Sequence, residues 1–147
     1  MTNIVVVTHG PLATALLQSA QMIIGERLAD AAAVPLEAED DLESARVKVA
    51  EALRRISRDN SAQQDVLVLV DLFGGTAANA AAWALRDADF QLVAGVNLPM
   101  LLEALLQRGQ MSAAELADLA VRVGQQGIVD VRATLSAAPA SAADSAP

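Results

Sequence analysis

The chain has 147 residues, a net charge of −8 and no cysteine. This length suits one domain with a substantial core, and the lack of cysteine excludes disulfides and thiolate metal sites. The acidity and the scarcity of aromatic residues, with no Tyr, one Trp and two Phe, argue against binding to nucleic acid, which requires clustered basic and stacking side chains.

The N-terminus leads directly into an apolar strand. No basic region or cleavage signal precedes residues 4–7, so this segment is not a signal peptide. No apolar stretch approaches the roughly 20 residues that a membrane-spanning helix needs. We therefore expect a cytoplasmic protein that does not insert into a membrane.

Apolar runs alternate with segments of helical periodicity along the chain. This alternation is typical of βαβ units, which build an open, mainly parallel sheet with helices on both faces. The run at 66–70 is apolar throughout, as in a strand covered on both sides. Five strands are predicted, at residues 4–7, 32–36, 66–70, 90–94 and 128–131.

Helices are predicted between and after these strands. The first opens at Gly10-Pro11 and stops at Gly25, and the next two span residues 40–57 and about 76–85. The fourth has Pro99 in its first turn and ends near Gly109. A capping box, Ser112 to Glu115, opens the last helix, which stops at Gly124. The apolar line of the first helix is predicted to be Leu12, Leu16, Ala20, Ile23 and Ile24.

The composition changes near the C-terminus. From about residue 134 the chain consists mainly of Ala, Ser and Pro, which bury too little apolar surface to order themselves. We predict one folded domain over residues 1–133, followed by a disordered tail over residues 134–147.

Chemistry-bearing residues follow the predicted strands. In an open parallel sheet, ligands bind beyond the carboxyl ends of the strands, where the winding reverses. A strand order of 2-1-3-4 makes the first and third strands neighbours, so that His9 and Asp71 meet at this switch point. A diglycine turn, Gly74-Gly75, and the hydroxyl of Thr76 follow Asp71.

These residue types suit phosphoryl transfer. A neutral imidazole at His9 is nucleophilic, and a carboxylate at Asp71 selects its tautomer and stabilises the charged ring. Glycines allow the backbone to approach a phosphate at a helix N-terminus, and the helix that begins near Pro11 directs a second positive end to the same place. The candidate phosphate-binding residues are Gly10, Gly74, Gly75 and Thr76.

Each residue also has an ordinary structural role. His9 alone fits a loop residue, Asp71 a strand-exit residue and the glycines a tight turn. Asn97 is expected to cap a helix rather than bind a ligand, and the acidic run at 37–43 favours its own helix N-terminus. His9, Asp71 and the glycines converge at one edge of the sheet, and this convergence favours the functional interpretation.

Four segments resemble the mannose-type enzyme IIA domain of the bacterial phosphotransferase system, and the resemblance covers about residues 3–132. They are Thr8-His9-Gly10, the helix end at 22–26, Val70 to Thr76, and Ala94 to Leu101. The resemblance implies a phosphohistidine at His9, charged by the histidine-phosphocarrier protein, with Asp71 as the imidazole partner and no metal or organic cofactor. It also implies a homodimer in which the strand at 128–131 is exchanged at the sheet edge.

The chain departs from the family pattern at Ala77-Ala78, where Pro-Phe is common. This change is expected to remove an aromatic side chain from the rim of the site. We expect a phosphotransferase that relays phosphate to a separate IIB acceptor in sugar uptake. The alternative is a regulatory module whose phosphorylation alters docking to a target protein. A third option, the phosphocarrier subunit of dihydroxyacetone kinase, fits the segments at 71–76 and 95–100 less well.

Overall fold

The computed structural model describes residues 1–58 and 65–137. In this part of the chain, strands alternate with helices as far as residue 107. The strands are β1 (Asn3–His9), β2 (Ala31–Leu36), β3 (Val66–Val70) and β4 (Gln91–Ala94). The helices are α1 (Leu12–Ile24), α2 (Leu42–Arg58), α3 (Thr76–Ala84), α4 (Leu98–Gln107), α5 (Ala113–Gln126) and α6 (Val131–Ala137).

The four strands form one parallel sheet in the order β2-β1-β3-β4, which confirms the predicted topology. Val7 of β1 lies opposite Val70 of β3, so both central strands reach the carboxyl edge together. His9 extends beyond this pair and lies opposite Leu36 of β2. The register therefore brings the segments that follow β1 and β3 to the same place.

Alternating residues of β1 pack into two separate cores. Val5 and Val7 belong to the core under α2 and α3, whereas Ile4 and Val6 belong to the core under α1, α4 and α5. Helices therefore cover both faces, as predicted, and this explains why β3 is apolar and buried along its whole length.

Two predicted helix starts are confirmed by their hydrogen bonds. The side chain of Asn97 accepts from the Met100 N–H at the start of α4. Ser112 and Glu115 form the predicted reciprocal capping box at the start of α5. Both bonds satisfy N–H groups that have no partner inside the helix.

The buried face of α1 differs in part from the prediction, since Leu16, Ala20 and Ile24 pack against the core as expected. Leu12 and Ile23 are exposed, and Ala13 and Ala20 are the fully buried residues. Because apolar side chains occur around most of this helix, its periodicity did not distinguish the inward stripe from the outward one.

Gly124 and Gly127, near the end of α5, both serve a helix contact, and Gly127 also caps the helix. The helix continues past the predicted stop at Gly124 and ends at Gln126. A Cβ at Gly124 would collide with the Met100 side chain, and one at Gly127 would lie 2.6 Å from Cγ of Pro99. The absence of side chains here lets α5 approach α4 closely, a tertiary requirement that the local sequence does not reveal.

The predicted fifth strand at 128–131 is not formed in this single chain. Residues 128–130 are irregular, and α6 begins at Val131. A strand needs a neighbouring edge to satisfy its N–H and C=O groups, and no pairing with β4 occurs in the described sheet. Of the predicted disordered tail, residues 134–137 lie in α6, and residues 138–147 lie outside the described residues.

In the described ranges, no helix combines the length and the apolar character that crossing a bilayer requires.

Candidate functional site

His9 and Asp71 form a hydrogen-bonded pair at the carboxyl edge of the sheet. Nδ1 of His9 lies 2.7 Å from Oδ2 of Asp71. The same carboxylate oxygen accepts the backbone N–H of His9 at 2.8 Å, and the other oxygen accepts the Leu72 N–H at 2.9 Å. The Asp71 side chain is therefore held at three points, and it holds both the backbone and the ring of His9.

The pKa of Asp71 reflects two opposing effects. Burial raises the pKa of this carboxyl, because a charge is poorly solvated there. The hydrogen bonds from His9 and from the Leu72 N–H lower the pKa by more than burial raises it, so the pKa lies below the ordinary value. Asp71 is thus a carboxylate at neutral pH, and Nδ1–H of His9 donates a hydrogen bond to it.

The two side chains of the pair differ in exposure. The His9 side chain is 48% exposed, whereas that of Asp71 is only 11% exposed. The imidazole can therefore be reached from solvent while its carboxylate partner stays largely covered, the arrangement expected for a ring that reacts with a group arriving from outside.

The turn after Asp71 packs against the imidazole. Gly74 has a φ of 82°, a backbone conformation that side chains rarely allow. A Cβ at Gly75 would lie 3.1 Å from Cε1 of His9 and 3.0 Å from a methyl carbon of Leu72, so glycine keeps the backbone against the ring. Gly75 is also the N-cap of α3, whose first N–H groups have no partner inside the helix.

The turn between β1 and α1 uses its polar groups inside the fold. Gly10 has a φ of 56°, and its N–H donates to the carbonyl of Leu36 at 2.7 Å. The Ala13 N–H at the start of α1 donates to Oγ1 of Thr8, also at 2.7 Å. Thr8 and His9 are successive strand residues on opposite faces of the sheet. The contacts place the start of α3 against the imidazole, and in the first turn of α1 they bond the Ala13 N–H to Thr8.

An aromatic residue stands at the rim of this site. Phe73 is 92% exposed, and its neighbour Leu72 is half exposed. Ala77 and Ala78, by contrast, are buried in the core under α2 and α3. The expectation that Ala77-Ala78 alters the rim is wrong, because these residues face inward from the first turn of α3.

The residues that sequence reasoning missed are Phe73 and Thr8. An apolar aromatic between a strand and a diglycine turn was the available signal for Phe73. Nothing in the sequence distinguished the buried hydroxyl of Thr8 from an ordinary strand threonine.

Asn97 is a cap, as predicted. Both ends of its amide form hydrogen bonds, since Oδ1 accepts the Met100 N–H and Nδ2 donates to the Gly124 carbonyl at 2.9 Å.

Over residues 1–58 and 65–137, no three His, Cys, Asp or Glu side chains converge on a point where a metal ion would be held.

These features define a class of protein. It is an open parallel α/β domain with a histidine–carboxylate pair at its topological switch point. Ligands bind at this place, beyond the carboxyl ends of the strands, in such sheets. Residues 3–121 match the family described as "PTS system fructose IIA component". The chain belongs to this family, the mannose-type EIIA proteins of the phosphotransferase system, which confirms the resemblance.

Individual relatives support the same assignment. The fructose-specific EIIA component of Bacillus subtilis (strain 168) is 35% identical over 127 residues, covering 86% of this chain and 84% of that protein. The mannose-specific EIIAB component of Escherichia coli (strain K12) is 35% identical over 144 residues, or 95% of this chain, but the chain spans only 43% of that relative. A solved mannose/sorbose-specific IIA subunit from Enterococcus faecalis has a TM-score of 0.78 and 36% identity, covering 88% of this chain and 94% of that one.

Proposed function

We propose that this chain is a cytoplasmic phosphocarrier that accepts a phosphoryl group on His9. The donor would be the histidine-phosphocarrier protein, and the acceptor a separate IIB component in sugar uptake. The observation that carries the proposal is the contact of an exposed imidazole with a largely covered carboxylate. The names of the relatives, all components of sugar phosphotransferase systems, support the same role.

The hydrogen bond to Asp71 supports Nε2 as the reacting nitrogen. With Nδ1–H donated to the carboxylate, Nε2 keeps the lone pair and is the nucleophile. A bond forms between Nε2 and phosphorus while the bond from phosphorus to the donor's nitrogen breaks, and that nitrogen keeps the electron pair. The ring becomes positively charged, and the Asp71 carboxylate stabilises it. Passing the phosphate on repeats the exchange with the acceptor as nucleophile.

The phosphate oxygens would lie at the start of α3. Gly74 and Gly75 bring the backbone close to the imidazole, and the first N–H groups of the helix favour an anion. The hydroxyl of Thr76 would supply a further donor. Gly10 would contribute through its left-handed turn, since its N–H is already bonded to Leu36.

A protein rather than a small molecule is the expected donor. Phe73 offers an uncovered aromatic in the turn between Asp71 and Gly75, and aromatic residues commonly anchor protein interfaces. Glu37 and Glu39, exposed where β2 ends, lie one strand away from His9. Together these side chains suit a partner surface that has an apolar pocket for Phe73 and basic residues opposite the two glutamates.

Phe73→Ala is expected to slow phosphoryl transfer from the carrier protein about tenfold at low donor concentration, because one interface anchor is worth about 1–2 kcal/mol. Stopped-flow or quench-flow transfer kinetics measure this change. Met22→Ala is the matched control, since Met22 is also exposed but lies near the end of α1 farthest from His9. Equal rates for both variants, with unchanged melting, would show that Phe73 is not part of the donor interface.

We further propose that the chain assembles as a homodimer through its C-terminal segment. Ile128 is 80% exposed, and Val129, Val131 and Leu135 are also uncovered. The strand β4 forms one edge of the sheet, and an uncovered edge can pair with another chain. Crossing of this segment to a second copy would cover both the edge and the apolar side chains.

Truncation distinguishes this assembly from a monomer. A chain ending at Gly127 is expected to sediment as a monomer, because the exposed apolar segment is removed while α5 is kept intact. A chain ending at Ala137 should stay dimeric like the full-length protein, measured by analytical ultracentrifugation. A monomeric full-length chain, or a dimer that survives the shorter truncation, would rule out assembly through this segment.

The proposed function is tested by phosphate relay. Incubation with phosphoenolpyruvate, enzyme I and the carrier protein should give a phosphoprotein that is stable in base and labile in acid. Addition of purified mannose-type IIB protein should then remove the label. A labelled chain that keeps its phosphate would contradict the relay, and a chain that takes up no label would contradict the proposal as a whole.

A further inference from the structure

The residue before His9 carries a buried hydroxyl that the proposed chemistry does not use. Thr8 is fully buried near the end of β1, directly after the buried apolar residues 4–7. Valine has the same branched shape and an equal preference for strands, so packing alone does not call for a hydroxyl. The hydroxyl oxygen accepts the Ala13 N–H at 2.7 Å. That N–H belongs to the first turn of α1, where Pro11 at the N-cap provides no side-chain bond.

Three consecutive residues are held by three different parts of the fold. Thr8 is bonded to α1, the His9 N–H is bonded to Asp71 after β3, and the Gly10 N–H is bonded to Leu36 of β2. Thr8 and His9 point to opposite faces of the sheet, so the hydroxyl acts on the backbone of His9 from the side away from α3. The direction of the His9 side chain is thus fixed by bonds on both of its neighbours.

We infer that Thr8 is a positioning residue for phosphoryl transfer: its hydroxyl ties β1 to α1 and thereby keeps Nδ1 of His9 on Asp71 and Nε2 open to the phosphate. This inference rests on the proposed function of His9. It assigns to Thr8 no contact with the phosphate. Loss of the bond would let the turn at 9–11 shift, and the ring would then sample orientations in which Asp71 no longer selects the tautomer.

The test compares side chains that differ by the hydroxyl alone. Thr8→Val is expected to lower the maximal rate of phosphoryl transfer about tenfold, with the donor concentration for half-maximal rate unchanged, because the partner surface is intact. Thr8→Ser keeps the oxygen and should stay close to wild type. If Thr8→Val does not fold, Thr8→Ala against Thr8→Ser makes the same comparison, since both lack the methyl group.

A spectroscopic readout separates positioning from simple loss of stability. His9 is the only histidine, so ¹⁵N-histidine labelling reports its tautomer without overlap. The wild type should show mainly Nδ1–H, and Thr8→Val a measurable share of Nε2–H. Ser112→Ala is the matched control, because it removes a hydroxyl cap from α5. It should lower the melting temperature while leaving the transfer rate and the ¹⁵N spectrum unchanged.

The outcomes keep the two proposals apart. Wild-type rates and spectra in both hydroxyl-free variants would overturn the role of Thr8, as would a Thr8→Ser protein as slow as Thr8→Ala. A wild type that accepts no phosphate would refute the proposed function, and the tautomer comparison would still decide whether Thr8 orients the ring.

Discussion

His9→Ala is expected to take up no phosphate from the carrier protein under conditions in which the wild type is fully labelled. His9 is the only histidine in the chain, so no second imidazole can replace it. The loss should be complete rather than partial, because removal of the nucleophile leaves no covalent route for the phosphoryl group. Labelling from radioactive phosphoenolpyruvate, resolved on a gel run under basic conditions, measures the result.

The fold should survive this substitution. The His9 side chain is half exposed, and Asp71 still accepts the backbone N–H of residue 9 and that of Leu72 when the ring is absent. A circular dichroism spectrum and a melting temperature close to those of the wild type would confirm that only the chemistry is lost. If the His9→Ala protein is labelled as well as the wild type, the phosphate is carried by another residue and the proposal is refuted.

Much of this site followed from the sequence because its residues stand directly after strongly apolar strands. The runs at 4–7 and 66–70 identify β1 and β3, and the strand order makes them neighbours. The meeting of His9 with Asp71 then follows from the parallel register alone. Glycines after the second strand likewise indicated the close approach of backbone to the ring that Gly75 makes.

The features that could not be predicted depend on contacts outside their own strand or helix. Gly124 resembles a helix-ending residue, yet α5 continues past it, and its small size serves the contact with Met100 of another helix. The segment at 128–131 has the composition of a strand, but strand formation requires an edge to pair with. The hydroxyl of Thr8 meets an N–H five residues later only because β1 turns sharply into α1.

Asp71→Asn is expected to slow phosphoryl transfer to His9 by about 10²- to 10³-fold while the fold is kept. An amide preserves the shape of the carboxylate, but it carries no charge to stabilise the positive ring. It also allows the tautomer with the proton on Nε2, which cannot attack. A loss of about 3–4 kcal/mol in the transition state corresponds to this range of rates. Single-turnover quench-flow measurements with phosphorylated carrier protein report the rate directly.

Glu115→Gln provides the matched control for this carboxylate. Glu115 also has a lowered pKa, because it accepts hydrogen bonds from the backbone and the side chain of Ser112. It lies in the first turn of α5, away from His9, and glutamine is compatible with a capping box. Its transfer rate should equal that of the wild type. Equal slowing of both variants would show that loss of any such carboxylate, and not of the His9 partner, causes the effect.

The pH dependence of stability tests the same carboxylate independently of phosphate. Because folding lowers the pKa of Asp71, its charged form stabilises the native state at pH values above the pKa of the unfolded chain. This contribution is lost as the pH falls through the lower, folded-state pKa. The difference in unfolding free energy between wild type and Asp71→Asn should therefore shrink as the pH falls through the acid range. A difference that does not change with pH, together with wild-type transfer kinetics, would mean that Asp71 only ends β3 and does not serve His9.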